Sequence, residues 1–499
     1  MNEVRTNNKP NANFGQFGGS PQVSRCSETQ VNGPVDSAAP FSRAAPRPGT
    51  DSDSVSVVQS VLTNGARQFL SLERLDLAQA LADLALSENE RDADTLSVAA
   101  HILDRQGEWE NSLVRLREAH EFLPEAPQVR LNLAMALLRL GDYREGFALY
   151  EARVDKPSWS GFATPESRAA LRHLKLRPGQ SVEGRRILIL AEQGLGDGIM
   201  FSRYIAMLVK RGARVAVACN PTMRLFFERI AGIETVLSPP SDKPFAQINL
   251  AALPFDAWTP LLSLAVWFGT DAANVPAEIP YWIPDQNRVA AWRSHFNGRG
   301  RSGTPKVGLV FQTNPDGASF VEKSMTVDDV LPLLSFDGVD FVNLQHGPAG
   351  RALAEAAPRM IDPYRAQLPL DEYAAAIAAT DLVISVDTMA AHFAGALGKA
   401  TWLAVPHSPH RAWGLDGETT PWYPSIKIFR QSKRRDWSSA IETLTTELSE
   451  KFASSSKAAN APNSEVANAG NAERYTQLLK LASKHNANER QAAQALARF

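Results

Sequence analysis

Two spacings of apolar residues divide this chain. Across residues 55–155 they recur every three or four positions, the stripe that amphipathic helices bury against one another. From Arg185 onward short aliphatic runs alternate with amphipathic stretches, the texture of a doubly wound parallel sheet whose strands are covered on both faces. Residues 187–190 predict a first strand, 201–211 a helix, 214–219 a second strand and 222–231 another helix. A second series follows, with strands over 307–311, 340–344 and 382–386 and a helix over 327–334. The Pro- and Trp-rich stretch 254–284 separates the two series and reads as a closing segment and hinge.

A repeat emerges within the helical part. Gly107 and Gly141 lie 34 positions apart, as do Trp109 and Tyr143, while Ala100 and Ala134 hold the matching small position upstream. That is the period of tetratricopeptide repeats. Small residues let paired helices approach, the glycine breaks the chain between them, and the aromatic fills the groove beyond. Leu75 with Ala78, Ala82 and Ala85 marks a weaker unit upstream. An ordinary helical bundle is the alternative, and either serves as a scaffold or docking surface. The tails, 1–54 and 451–499, hold too few large apolar side chains to offset the entropy of ordering, apart from a short helix expected from Glu473.

Composition narrows the function. At 499 residues the chain needs several cores. With 52 Lys and Arg against 54 Asp and Glu it has no field to hold a polyanion, so no nucleic-acid partner is expected. Cys26 and Cys219, the only 2 cysteines, exclude a disulfide framework and a cysteine-based zinc site. Neither a signal peptide nor a membrane span stands out, which predicts a cytoplasmic protein with no integral membrane segment.

Two stretches carry candidate chemistry. The loop after the first strand reads Glu192-Gln193-Gly194-Leu195-Gly196-Asp197-Gly198 and runs into a helix. Its alternate glycines allow close backbone approach to an anion or sugar, or serve only tight strand-to-helix packing. As a dinucleotide fingerprint it is poor, because the second strand ends at Cys219-Asn220 without a ribose-binding acid. The other stretch is Asp381-Leu382-Val383-Ile384-Ser385-Val386-Asp387-Thr388-Met389-Ala390-Ala391-His392. Asp387 and Thr388 stand at the carboxyl end of a strand, where open α/β sheets place ligands. Asp387 as a helix cap and His392 as a core histidine are the plain alternatives.

Those two stretches, with Phe393-Ala394-Gly395-Ala396-Leu397-Gly398 and Pro421-Trp422-Tyr423-Pro424-Ser425, resemble bacterial tetratricopeptide glycosyltransferases related to the heptosyltransferases, glycosyltransferase family nine. The resemblance spans roughly residues 96–448. It implies an α plus α/β chain: tetratricopeptide helical repeats followed by a GT-B pair of Rossmann-like lobes. The expected divisions are a repeat domain over 55–155, a linker over 156–180, an acceptor-side lobe over 181–285 and a nucleotide-sugar lobe over 286–450.

The resemblance also implies roles. Asp197 matches the general base on the acceptor hydroxyl, within a loop where Gln193, Gly194 and Gly196 face the acceptor. Lys323 matches a basic residue near the donor phosphates, Gln345 a nucleotide contact, and Asp387, Thr388 and His392 the second-lobe signature that fixes diphosphate and ribose. Lys323 as a solvated surface lysine stays open, and Trp422 and Tyr423 read as structural. Where relatives carry tryptophan with small residues and an Arg-Ser pair, this chain has Phe311-Gln312-Thr313-Asn314 and Lys323-Ser324, a change of donor or a loss of activity.

Asp51-Ser52-Asp53 falls in the tail and Asp328-Asp329 in a helix, so no metal and no cofactor is expected. The reaction expected is metal-independent transfer of a glycosyl group from a nucleotide-sugar donor to an acceptor hydroxyl, on a protein such as flagellin recruited by the repeats. A catalytically degenerate scaffold or nucleotide-sugar-binding protein is the alternative. A peptide N-acetylglucosamine transferase of eukaryotic type, also built from such repeats and two lobes, matches the motifs less well.

Overall fold

The computed structural model describes residues 51–458, apart from 157–158, 160–169, 240–252, 318 and 363–367. Most of the expected amino-terminal tail, and the helix expected from Glu473, lie outside those residues.

The helical spacing gives α1 (Asp51–Ser71), α2 (Leu75–Glu88), α3 (Ala93–Gln106), α4 (Trp109–Phe122), α5 (Pro127–Leu140) and α6 (Tyr143–Tyr150). Each packs on the next, and α1 on α3 and α3 on α5. Ala78, Ala82 and Ala85 are the buried face of α2, short enough to seat it against its neighbours. Gly107 ends α3 at φ 85° and Gly141 ends α5 at φ 90°, left-handed backbone that other residues adopt at a cost. Asp92 and Asp142 accept from the amides of Thr95 and Glu145 and so fix where α3 and α6 begin.

The first α/β unit holds β1 (Arg186–Leu190), β2 (Arg214–Ala218), β3 (Ile233–Leu237) and β4 (Ala257–Pro260), parallel in the order β3-β2-β1-β4. Its helices include α7 (Leu195–Phe201), α8 (Arg203–Lys210) and α9 (Arg224–Glu228), and a single helical turn, Leu264–Trp267, follows β4. The helix expected over 201–211 is α8, and a further helix, α7, starts inside the glycine loop and breaks from α8 at Ser202. The Ser202 hydroxyl donates to Ile199 O at 2.7 Å, a local bond that competes with regular helix.

The second unit opens with α10 (Gln286–Arg299) and holds β5 (Lys306–Val310), β6 (Asp340–Asn343), β7 (Leu382–Val386), β8 (Thr401–Val405) and β9 (Ile426–Arg430). These are parallel in the order β6-β5-β7-β8-β9. Helices α11 (Phe320–Lys323), α12 (Val327–Leu334), α13 (Gly347–Ala356), α14 (Leu370–Ala379), α15 (Met389–Ala396) and α16 (Ser438–Ala458) complete it. The last runs beyond the boundary expected at 450. Both sheets change direction of winding beside their first strand, between β1 and β4 and between β5 and β7. Doubly wound sheets leave a crevice at the carboxyl ends of those strands.

One apolar core runs through all three parts, from Leu131 and Tyr143 across Phe201 to Ala390 and Trp422. The repeat-spaced aromatics take part in docking: Trp109 lies 5.9 Å from the ring of His407 and Tyr143 lies 5.4 Å from Trp422. Half-exposed ions add a second tie, in which Arg105 on α3 meets Glu73 at 3.1 Å and Glu322 on α11 at 3.6 Å, with Arg434 bonded to both acids. The stretch expected as a hinge supplies β4, and its buried Trp282 packs between Phe226 and Phe393, 5.4 and 5.7 Å away.

Candidate active site

The first corner is the turn from β1 into α7, and it is fixed from below. Glu192 is buried against Arg153, from the turn after α6, at 2.5 Å, and the Trp159 indole also donates to it. Arg153 further meets Glu151 at 2.8 Å and donates to Ser263 at 2.9 Å. Burial alone would raise the Glu151 carboxyl, yet Arg153 and Lys175 bring it down to about 2. Held there, the chain turns sharply through Gln193 at φ 68° and presents Gly194, Gly196 and Asp197 at the rim.

The second corner is the turn from β7 into α15. Asp387 is 4% exposed, and Lys323, at the end of α11, approaches its Oδ2 to 2.8 Å. That contact is an ion pair. Burial would raise the Asp387 carboxyl, but Lys323, His410 and His392 outweigh it and hold it well below the usual carboxylate range. Thr388, half-buried, is the N-cap of α15. The Gln345 carboxamide oxygen accepts from the Phe311 and Gln312 amides at 3.1 and 2.9 Å, so this residue shapes the loop after β5.

The corners touch, because α7 packs on α15. A Cβ on Gly196 would stand 2.7 Å from His392 Cδ2. His392 Nδ1 pairs with the Tyr423 hydroxyl at 2.9 Å and its ring lies 5.0 Å from Trp413. Burial lowers this histidine to about 4 against the pull of Asp387 and Asp197, so it is neutral at pH 7.

Asp197, 19% exposed, is paired through Oδ1 with Arg411 Nη2 at 2.5 Å. Asp197, Asp387 and Lys323 thus all act on His392, where the two turns meet, while Gly196 abuts its ring, Thr388 caps its helix and Gln345 is bonded to the loop after β5. Arg411 and its neighbour His410 were not singled out from the sequence. Three basic residues, His407, His410 and Arg411, just beyond the carboxyl end of β8 were the available signal.

A cavity of about 380 Å³, lined by Arg301, Phe336, Asp340 and Met360 among others, lies at the opposite, amino-terminal end of the second sheet. Ligands of such sheets bind at the other end. Among the described residues no group of three or more His, Cys, Asp and Glu is placed to hold a metal ion, and no helix is long and apolar enough to cross a membrane.

No family model matches the chain. It is 28% identical to Protein FlbA of Caulobacter vibrioides over 63% of its own length and 54% of that protein's, so it spans about half of the curated relative it matches. Among solved structures it resembles a family nine glycosyltransferase from Veillonella parvula, at 11% identity and TM-score 0.38 over 55% of this chain and 90% of that one. It also resembles the E. coli ADP-heptose lipopolysaccharide heptosyltransferase II, at 13% identity and TM-score 0.39 over 56% and 100%. The O-GlcNAc transferase of Thermobaculum terrenum covers 89% of this chain and 99% of its own, at 11% identity and TM-score 0.24. Likenesses this loose place no residue.

Proposed function

We propose that this chain is a glycosyltransferase that moves a sugar from a nucleotide-sugar donor to an acceptor hydroxyl. The observation that supports the reading is that the turn at one sheet's switch point, with Gly196 and Asp197, abuts His392, on which the lysine–aspartate pair at the other's also acts. In the reaction the acceptor oxygen bonds to the anomeric carbon as the bond from that carbon to the phosphate oxygen breaks. Asp197 takes the acceptor's proton, and Lys323 offsets charge on the departing nucleoside diphosphate. Lys323 is fit for this because Asp387 holds it at the crevice. Gly196 lets the first corner lie against His392.

We read the six helices as tetratricopeptide repeats, on the matched left-handed glycines Gly107 and Gly141, and their acceptor as a protein such as flagellin. The aromatics of one face are used against the lobes, which leaves the rest of the array for a peptide. In this reading the phosphate charge is carried by side chains without a metal, in the cytoplasm.

The test incubates the full chain with a panel of nucleotide sugars and flagellin, read by mass spectrometry. Asp197→Asn is expected to lower transfer by about 10²- to 10⁴-fold with circular dichroism unchanged. Transfer at the wild-type rate sinks the assignment. One observation favours the second reading, a nucleotide-sugar-binding scaffold: the Asp197 carboxylate is occupied by Arg411. Donor binding without transfer to any acceptor supports that reading.

A further inference from the structure

Two buried arginines lie at this crevice, and they are used differently. Arg203 is largely satisfied: it donates to Met200 O, Pro276 O and Trp422 O at 2.7 to 2.8 Å and to the Tyr281 hydroxyl at 3.3 Å. Arg411, 5% exposed, lies over the rings of Tyr150 and Phe201 at 5.2 and 5.9 Å and gives one N–H to Asp197. Its Nε–H is buried and meets no acceptor among the described residues. A buried donor left unmet is destabilising, and a charged one more so, unless an acceptor arrives with a ligand.

The position suits an anion. His410, next in the chain, lies 6.4 Å ring to ring from His392, which itself abuts Gly196. Arg411 therefore stands between the two corners, and it and Lys323 both act on His410. A guanidinium has five N–H groups in a planar fork and can serve two oxyanions, which a lysine does less well.

We propose that Arg411 is a second cation for the donor's diphosphate and that Asp197 competes for it until the donor arrives. This rests on the donor reading above. Binding draws an N–H of Arg411 from the Asp197 carboxylate to a phosphate oxygen, and the carboxylate is then free to accept the acceptor's proton. The pairing in the unliganded chain thereby keeps the base masked while the crevice is empty.

The consequence has a definite sign: removing the carboxylate strengthens diphosphate binding, and does so only through Arg411. Isothermal titration of the full chain with ADP, UDP and GDP tests it. With whichever binds, Asp197→Asn is expected to tighten affinity and Arg411→Ala to weaken it, each on the order of tenfold. Asp197→Asn combined with Arg411→Ala is expected to bind no more tightly than Arg411→Ala alone. Should Arg411→Ala not fold, Arg411→Lys takes its place as background, and Asp197→Asn alone still tests the sign. Affinity unchanged or weakened in Asp197→Asn overturns the proposal. So does a gain that persists without Arg411, which is plain charge repulsion. If Lys323→Ala weakens binding while Arg411→Ala does not, the donor site stands and this proposal falls. If the wild type binds none of the three, both fall.

Discussion

The two corners are the same device of strand, turn and helix at a sheet's switch point, yet they are held together in opposite ways. At the first, the acid at the rim, Asp197, is partly open to solvent, and the buried charge lies one turn below, in Glu192. At the second the acid itself is the buried charge, and its partner Lys323 reaches down from above. The first corner is anchored by Arg153, a residue of the segment that leaves the helical array, whereas the second is paired within its own lobe. The first loop is thus fixed at its root through Glu192, with a partly open ion pair to Arg411 at its tip. The second loop is fixed at the tip itself, by the buried Asp387 and its lysine.

The largest break in this arrangement is expected from Arg153→Ala. It strands Glu192 as a buried carboxylate with its cation removed and leaves Glu151 only Lys175, at a cost of roughly 3–5 kcal/mol. Urea unfolding followed by fluorescence checks this. A loss under about 1 kcal/mol shows that the corner does not hang from the array.

Asp387→Asn breaks the second corner, and we expect a smaller loss, about 2–3 kcal/mol, because Lys323 can turn toward water. Its pH dependence has a fixed sign. The folded-state value of Asp387 is depressed, so its contribution is fully present above the unfolded carboxylate range, near pH 4. It fades as pH falls below that. The difference in unfolding free energy between wild type and Asp387→Asn is therefore expected to be flat from pH 6 to 8 and to shrink below about pH 4. A difference that grows on acidification contradicts the ion pair.

What the chain disclosed beforehand follows the same contrast. The strands β1, β2, β5 and β7 are aliphatic runs that announce themselves, but β4 reads Ala257-Trp258-Thr259-Pro260 and is buried through a tryptophan and the ends of its neighbours. The helix α10 buries only Val289, Trp292 and Phe296, and its remaining polar residues blur the periodicity. Asp197, Asp387 and His392 stand in motifs that follow a strand end, and their expected roles came from the family resemblance. Arg411 was not visible, because its partner is 214 residues away and on the other lobe, in a loop with no period to betray it. The role of Glu192 was hidden for the same reason: its cation comes from the helical part.

The smallest effect separates the two corners where they touch. On Gly196 a Cβ meets the His392 ring at 2.7 Å, and that ring cannot swing away, because Tyr423 holds Nδ1 and Trp413 lies 5.0 Å from it. Gly196→Ala therefore forces the corners apart by a few tenths of an ångström, at about 1–2 kcal/mol. Gly194, two residues earlier, is the internal control. Its Cβ would find only Asp197 Oδ2 at 3.7 Å, an ordinary contact, so Gly194→Ala is expected to change stability by less than about 0.5 kcal/mol. Thermal melts of the two variants side by side decide it. Equal melts mean that the first corner slides past His392 freely, and the crevice is then not set by this contact.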